Sequence, residues 1–345
     1  MDSCGGGGST FYWIILMFIH TYNNIITIEN LLSTWNRFIR GKRHKKDVME
    51  YELHLSDNII YLHSILKDKS YQHSGYSAFH VADPKPRNIH KATVQDRLVH
   101  HLIYKELYWY FDKRFIYDSY SCRVNKGVHR ANNRFKKFAG QVSKNNTRTC
   151  YVLKCDIKKF FASVDHNILK NILTRHIQDH DILHILFNII DSFHSAREGV
   201  GLPLGNLTSQ LLVNVYMHEF DMYIKQELRV KYYIRYADDF VIMHEDSNYL
   251  KTLLPKIEMF LKDTLKLALH DHKVSLETYA SGVDFLGWVH FPYHKQLRTV
   301  TKRNIIRKLH KYAKPETVTS YRGLLGHGDT YKLRKYIKTR TDIDV

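Results

Sequence analysis

Three aspartates carry the first chemical signal. Asp238 and Asp239 sit side by side in IRYADDFVIM (Ile234–Met243), between apolar, β-favouring residues. Asp156 closes another apolar run, YVLKCDI, 82 residues before Asp238. A buried unpaired carboxylate costs several kcal/mol, and adjacent ones repel each other. A divalent cation neutralises them most directly, and carboxylate oxygens are the ligands that magnesium prefers. Two such ions, roughly 3.5–4 Å apart, clamp the attacking and leaving oxygens of a phosphoryl transfer. A lone Asp-Asp pair reads more simply as turn chemistry. Here Tyr236 and Phe240 flank the pair and a second strand ends in Asp, which favours the metal reading.

Such a site needs neighbouring strands held by helices, and the pattern from 151 onward supplies both. YVLKCDI reads as a strand. SVDHNILKNIL starts a helix, with Ser163 or Asp165 as N-cap and Ile168, Leu169, Ile172 and Leu173 on its apolar face. GLPLGN reads as a loop, LTSQLLVNVYMHEFDMYIKQEL as a long helix, YYIRYADDFVIM as a hairpin, LLPKIEMFLKDTLKLAL as an amphipathic helix and VDFLGWVHF as a strand pair. This is α+β organisation on a mostly antiparallel sheet. Upstream, residues 21–70 read as helical, with Ile59, Ile60, His63, Ile65 and Leu66 near one face. Residues 77–95 read as a hairpin turned by Pro-Lys-Pro, and VQDRLVHHLIYKELYWYF as a helix.

Lys plus Arg outnumber Asp plus Glu by 52 to 34, a net charge of +18 over 345 residues. That excess suits a polyanionic partner, nucleic acid first. The run RFIRGKRHKKD (Arg37–Asp47) is either a solvated face or a phosphate contact. Cys4, Cys122, Cys150 and Cys155 are scattered without ligand spacing, which argues against zinc and for a reduced, cytoplasmic setting. The apolar run Phe11–Ile19 is nine residues long, whereas a membrane span needs about 20. It reads as a buried helix or strand behind a glycine-rich lead, with a membrane-surface segment as the alternative, and no stable membrane insertion is expected.

YADDF resembles the catalytic hairpin of reverse transcriptases. LKCDIKKFFASVDH (Leu153–His166) resembles their first catalytic motif and GLPLGNLTSQLLVNVYMHEFD (Gly201–Asp221) their next, in the family's order. The resemblance extends over roughly residues 30–335. Most of the family carries Pro-Gln-Gly where this chain has Leu204-Gly205-Asn206, followed by Ser209-Gln210. That variant is similar to the diversity-generating retroelement branch, which copies a template RNA with adenine-directed errors. KPRNIH (Lys85–His90), DSYSCRVNKGVH (Asp118–His129) and GVDFLGWVHF (Gly282–Phe291) resemble the same branch. Group II intron enzymes share much of this architecture but usually continue into a maturase, for which a chain ending at 345 has no room.

The resemblance implies a right-hand polymerase. Its parts would be an N-terminal lead (1–30), helices and fingers (31–150), a palm (151–295, with the loop-helix 201–221) and a short basic thumb (296–345). Asp156 and Asp238 would be the main metal ligands, Asp239 would act near the primer end, and the carbonyl of Ile157 would complete the shell. The metal would be two Mg2+ ions, with Mn2+ as a substitute. Phe161 falls at the sugar-discriminating position and would exclude a 2′-hydroxyl, whereas Phe160 reads as core. Lys85 and Arg87 would hold the incoming triphosphate. Gly205 and Asn206 would let the backbone approach a base pair, with helix capping the simpler reading of Asn206. Ser209 and Gln210 would contact template or nucleotide, and Arg123 and Lys126 the template backbone. Lys273 would protonate the leaving pyrophosphate, with a surface lysine as the plainer reading. Phe285, Leu286 and Gly287 would form a primer-gripping turn. Arg97 reads as a structural partner of Asp96. Implied partners are template RNA, the RNA/cDNA duplex, deoxynucleoside triphosphates and a small basic accessory variability protein that forms an oligomer, in a prokaryotic or phage-infected cell. The rival readings are a group II-like, retron-like or phage-defence reverse transcriptase, and a non-catalytic nucleic-acid binder. No Val-Thr-Gly follows residue 290, which weakens the retron version.

Overall fold

The run Phe240–Met243 shows no polar alternation, and the structure explains why: its strand is covered on both faces. The computed structural model describes residues 18–81, 86–311 and 314–341. In chain order it contains helices α1 (Tyr22–Ile25), α2 (Ile28–Phe38), α3 (Lys46–Leu53) and α4 (Leu55–Lys67), then strands β1 (Ser77–Val81) and β2 (Arg87–Lys91). Helices α5 (Val94–Asp112) and α6 (Val128–Val142), strand β3 (Tyr151–Asp156), and helices α7 (Phe160–Ser163), α8 (His166–Thr174), α9 (His180–Asp191) and α10 (Leu207–Met222) follow. Next come β4 (Tyr233–Tyr236), β5 (Asp239–His244), α11 (Ser247–Leu265), β6 (Ser275–Thr278), β7 (Val283–Phe285), β8 (Trp288–His290) and β9 (Lys295–Leu297). Helices α12 (Thr299–Lys311), α13 (Pro315–Leu325) and α14 (Tyr331–Thr341) close the chain's described part. No helix among the described residues is long and apolar enough to cross a membrane.

The chain divides into two units. One takes the described residues up to 110 with 166–193 and 206–208; the other takes 111–165, 194–205 and 209 onward. In the first, α2 and α4 pack through Leu31, Trp35 and Phe38 against the face holding Ile59, Leu62 and Leu66. Ile60 is 60% exposed, so the apolar face of α4 turns on Leu62 instead. Helix α2 is capped by Thr27, whose hydroxyl accepts from the Asn30 amide at 3.2 Å. The β1–β2 hairpin is antiparallel, with Val81 opposite Arg87. Arg97 pairs with Asp47, which also takes Lys91 at 2.7 Å, and not with its neighbour Asp96. Asp96 is buried and accepts from the hydroxyls of Tyr71 and Thr93 at 2.7 and 2.6 Å. Part of the basic run is used internally: Lys42 donates to the Phe38 carbonyl at 2.9 Å, and Arg43 reaches Glu52 at 3.6 Å. Most of the Phe11–Ile19 run lies outside the described residues.

The second unit is built on a four-stranded antiparallel sheet in the order β4-β5-β3-β6. Phe135, Phe138, Ala139 and Val142 of α6 cover one face and pack in one cluster with Val152, Ile234, Val241 and Met243. On the other face, Phe220 of α10 meets Phe240 at 5.1 Å between ring centroids. A second sheet, β7-β8-β9, turns at Leu286-Gly287, where both φ values are positive (48° and 90°), the pattern of a I′ hairpin. Trp288 and Leu297 of that sheet join Ile305, Leu309, Leu325 and Ile337 in a separate core that holds α12, α13 and α14 together.

Candidate active site

Strand pairing places the aspartates. In the β3–β5 register Asp156 lies directly opposite Asp239, so both side chains leave the same face of the sheet. Asp238 occupies the turn between β4 and β5 beside Ala237, whose φ of +55° is one that normally selects glycine. The turn is tied to the next element by the Ile157 amide, which donates to the Asp238 carbonyl at 3.1 Å. The expected neighbour relation of the two strands therefore holds.

Like charges placed opposite each other across a strand pair are destabilising. The cost shows at Asp239: burial first, then the Asp238 and Asp156 charges, push its carboxyl up to about 7, although Lys154 on the same face pulls the other way. Asp156 is steadied by Lys273, whose ammonium lies 2.8 Å from Oδ1. Lys273 itself is held in the loop between α11 and β6, where its amide donates to the His270 carbonyl at 2.9 Å. That loop also pairs with the strand end, since the His270 amide donates to the Asp156 carbonyl at 2.8 Å. Among the described residues, no three His, Cys, Asp or Glu side chains are already drawn into an ion cage. The donor set nevertheless suits a hard divalent cation: carboxylate oxygens, a nearby peptide carbonyl at Ile157, and a repulsion at Asp239 that positive charge would relieve.

Beneath the turn lies a polar group that sequence reasoning missed. Arg235 is fully buried; its Nε and Nη2 donate to the two oxygens of Asp221 at 2.8 and 2.7 Å. Its Nη1 donates to Asn214 Oδ1 and to the Ala237 carbonyl, both at 3.2 Å, and its Nη2 also reaches Ser119 Oγ at 3.1 Å. Tyr233 donates its hydroxyl to the same Asp221 at 2.7 Å. The available signal was Arg235 itself, a charge inside an otherwise apolar strand, with Asp221 at the end of an apolar helix.

Residues 80–290 match the reverse transcriptase (RNA-dependent DNA polymerase) family, which is more than half of the chain. The chain belongs to the reverse transcriptase family. Among its relatives are protein YkfC of Escherichia coli, 25% identical over 56% of this chain and 60% of that protein, and the group II intron-encoded protein LtrA of Lactococcus lactis, 20% identical over 65% of this chain and 48% of that one. The chain thus spans about half to three fifths of the length of these relatives. Apo telomerase from Candida tropicalis shares the fold, with a TM-score of 0.50 and 12% identity over 71% of this chain and 60% of that one. The architecture is that of a right-hand polymerase.

The remaining motif residues of this reverse transcriptase are distributed unevenly. Phe161 is half-buried, its ring 5.6 Å from that of Phe160, and its carbonyl accepts from the Leu202 amide at 2.7 Å. This joins the end of the first motif to the start of the next. Gly205 needs its glycine, with φ at +107°. Gln210 is half-buried, whereas Ser209 is only 2% exposed and thus an interior residue. Asn206 and Arg87 belong to the first unit, where Asn206 donates its amide to the His90 carbonyl at 3.0 Å; Lys85 lies outside the described residues. Two expectations are corrected. Arg123 is not a template contact: its side chain is 6% exposed and its guanidinium serves Asp112 at 2.7 Å and the carbonyls of Asp112, Ile116 and Ser119. Phe285 is not part of a primer grip: it is fully buried against Phe135, with ring centroids 5.5 Å apart, and only Leu286 and Gly287 form the turn. Lys126 remains half-exposed, its ammonium on the Tyr117 carbonyl at 2.7 Å.

Proposed function

We propose that this chain is an RNA-directed DNA polymerase that extends a primer on a template RNA with deoxynucleoside triphosphates. The observation that carries the reading is the pairing of Asp156 with Asp239, next to the Asp238 turn, in a chain of this family. Asp156, Asp238 and Asp239, with the Ile157 carbonyl, would hold two Mg2+ ions, or Mn2+ in their place. Bound there, the metal would supply activation of the primer 3′-hydroxyl and charge neutralisation at the pyrophosphate. Lys273 would pass a proton from Nζ to the leaving pyrophosphate; its approach to Asp156 supports that placement. Phe161 would exclude the 2′-hydroxyl, and Lys85, Arg87 and Gln210 would bind the nucleotide, with Gly205 shaping the loop beside it. Residues 31–150, 151–295 and 296–345 would serve as fingers, palm and thumb.

The finer reading places the chain in a diversity-generating retroelement, on the strength of Leu204-Gly205-Asn206 and Ser209-Gln210. Its partners would then include a basic variability-protein oligomer, and its errors would fall at template adenines. The intron-encoded relatives favour a second reading, a group II-like enzyme without that error bias.

Primer extension on an RNA template with Mg2+ tests the activity, with Asp238→Asn/Asp239→Asn as the control. Product from the native chain and none from the double variant is expected; no product with any of several primers and metals would leave a nucleic-acid binder. Sequencing of the cDNA then separates the finer readings, because low misincorporation opposite adenine removes the diversification role.

A further inference from the structure

Arg235 makes more contacts than stability of a hairpin requires, and one of them touches the turn that carries the aspartates. All five of its N–H groups find acceptors in a site that is 0% exposed. Two go to Asp221 in a fork, one to Asn214, one to Ser119, and one to the carbonyl of Ala237. The backbone of Arg235 is fixed as well. Its amide donates to the Asp118 carbonyl and its carbonyl accepts from the Tyr120 amide, both at 3.0 Å. Asp118 is in turn gripped by Arg134 of α6 at 2.7 and 3.1 Å. The guanidinium thus joins α10 and the 118–121 segment to one peptide of the turn.

That peptide is the one under strain. An L-residue at φ +55° is disfavoured, and a free Ala237-Asp238 peptide would relax toward ordinary values. Three carboxylates also converge here, since Asp239 lies opposite Asp156 and next to Asp238, and like charges so placed disfavour the closed turn. A single carbonyl-directed donor from a rigid, buried fork opposes both tendencies. We infer that Arg235 is a positioning residue: it holds the Ala237 peptide so that Asp238 and Asp239 stand ready for divalent metal before any metal arrives. The inference rests on the proposed polymerase reading and deepens it. Arginine is needed because lysine offers three donors from a point charge and cannot make a planar fork to Asp221 while bonding a second acceptor on the far side.

The test compares Arg235→Lys with the double variant Arg235→Lys/Ala237→Gly, in which glycine accepts the positive φ without strain and so needs less holding. Asn214→Ala serves as the control, since it removes an Arg235 contact without freeing Ala237. The readouts are Mn2+ affinity of the isolated protein by calorimetry, and kcat against KM for deoxynucleotide in primer extension. Arg235→Lys should weaken Mn2+ binding about 10- to 100-fold and lower kcat about tenfold or more, with KM for nucleotide within about twofold, the size of a lost supporting contact; adding Ala237→Gly to it should recover about threefold or more of the Mn2+ affinity. Asn214→Ala should leave Mn2+ affinity within about twofold. If Arg235→Lys folds, as judged by circular dichroism and melting, and binds Mn2+ as the native chain does, or if Ala237→Gly restores none of the affinity that Arg235→Lys loses, Arg235 is a stability element only and the inference fails. A native chain that binds Mn2+ but extends no primer would instead count against the polymerase reading, with the calorimetric comparison still deciding the role of Arg235.

Discussion

At the residue scale the candidate site trades stability for charge. Asp239 is raised to about 7 because burial and two neighbouring carboxylates disfavour its ionised form. An acid whose folded pKa exceeds its unfolded value adds stability at low pH and loses it as pH rises through the folded value. At pH 8 without divalent ions, Asp239 is therefore a net cost to the fold. Asp239→Asn removes that charge and keeps the shape. Urea unfolding in chelator at pH 8 should show the variant more stable than the native chain by about 1–3 kcal/mol, and the gain should shrink when Mg2+ is added to the native chain. Equal stability at pH 8, with and without chelator, would show that the repulsion is relieved by something other than metal. The same logic separates the two lysines near this face. Lys154 acts on Asp239 by charge from the strand, whereas Lys273 holds Asp156 by direct contact at 2.8 Å.

At the element scale the small second core is the sensitive part. Gly328 lies where a Cβ would come within 2.1 Å of Trp288 Cζ3 and 2.9 Å of the Lys295 carbonyl. Trp288 is fully buried in the cluster with Ile305, Leu309, Leu325 and Ile337, so it has no room to give. Gly328→Ala should destabilise by about 1–3 kcal/mol through overpacking. Hydrogen exchange should localise the loss to α12, α13 and α14 and leave β3 and β5 protected; uniform deprotection would argue that this core is not a separate cooperative part. These elements also show what a sequence yields. Helix 94–112 was legible from its spaced apolar residues, and strand 239–244 from a short unbroken apolar run beside a turn. The approach of Asp156 to the Asp238-Asp239 turn was legible because acids that close apolar runs are costly when isolated, and the strand register brings them together. Arg123 and Arg235 were not, because a basic residue looks the same on a surface and in a buried fork; only the positions of Asp112 and Asp221 decide between the two. Phe285 was misread for a related reason: a turn is visible from Leu286-Gly287, but which flanking side chain points inward depends on the register with Trp288.

At the scale of the whole molecule, each unit keeps a histidine neutral in its interior. In the first, His100 is 1% exposed, with a ring nitrogen 3.0 Å from His73 Nε2 and Nδ1 2.9 Å from Thr208 Oγ1. Burial, then His73 and His101, pushes its pKa down to about 3. In the second, His290 is 2% exposed, with Nε2 3.2 Å from Asn132 Oδ1, and burial with Lys295 nearby pushes it down to about 4. Both folded values lie below the unfolded value near 6.5. The stability tied to these neutral rings is therefore fully present above about pH 6.5 and is lost as pH falls toward the folded values, because the unfolded chain takes up protons that the fold refuses. Each such group contributes a slope of about 1.4 kcal/mol per pH unit in that window. The native chain should lose melting temperature steeply between about pH 6.5 and 5, in a buffer series at fixed ionic strength. His290→Gln retains a side-chain donor toward Asn132 and cannot titrate, so its stability should fall by one proton's slope less over the same window, and His100→Gln likewise for the first unit. A slope unchanged in both variants would assign the acid sensitivity to carboxylates instead. Loss confined to one variant's unit, read by hydrogen exchange, would show that the two interiors respond to acid independently.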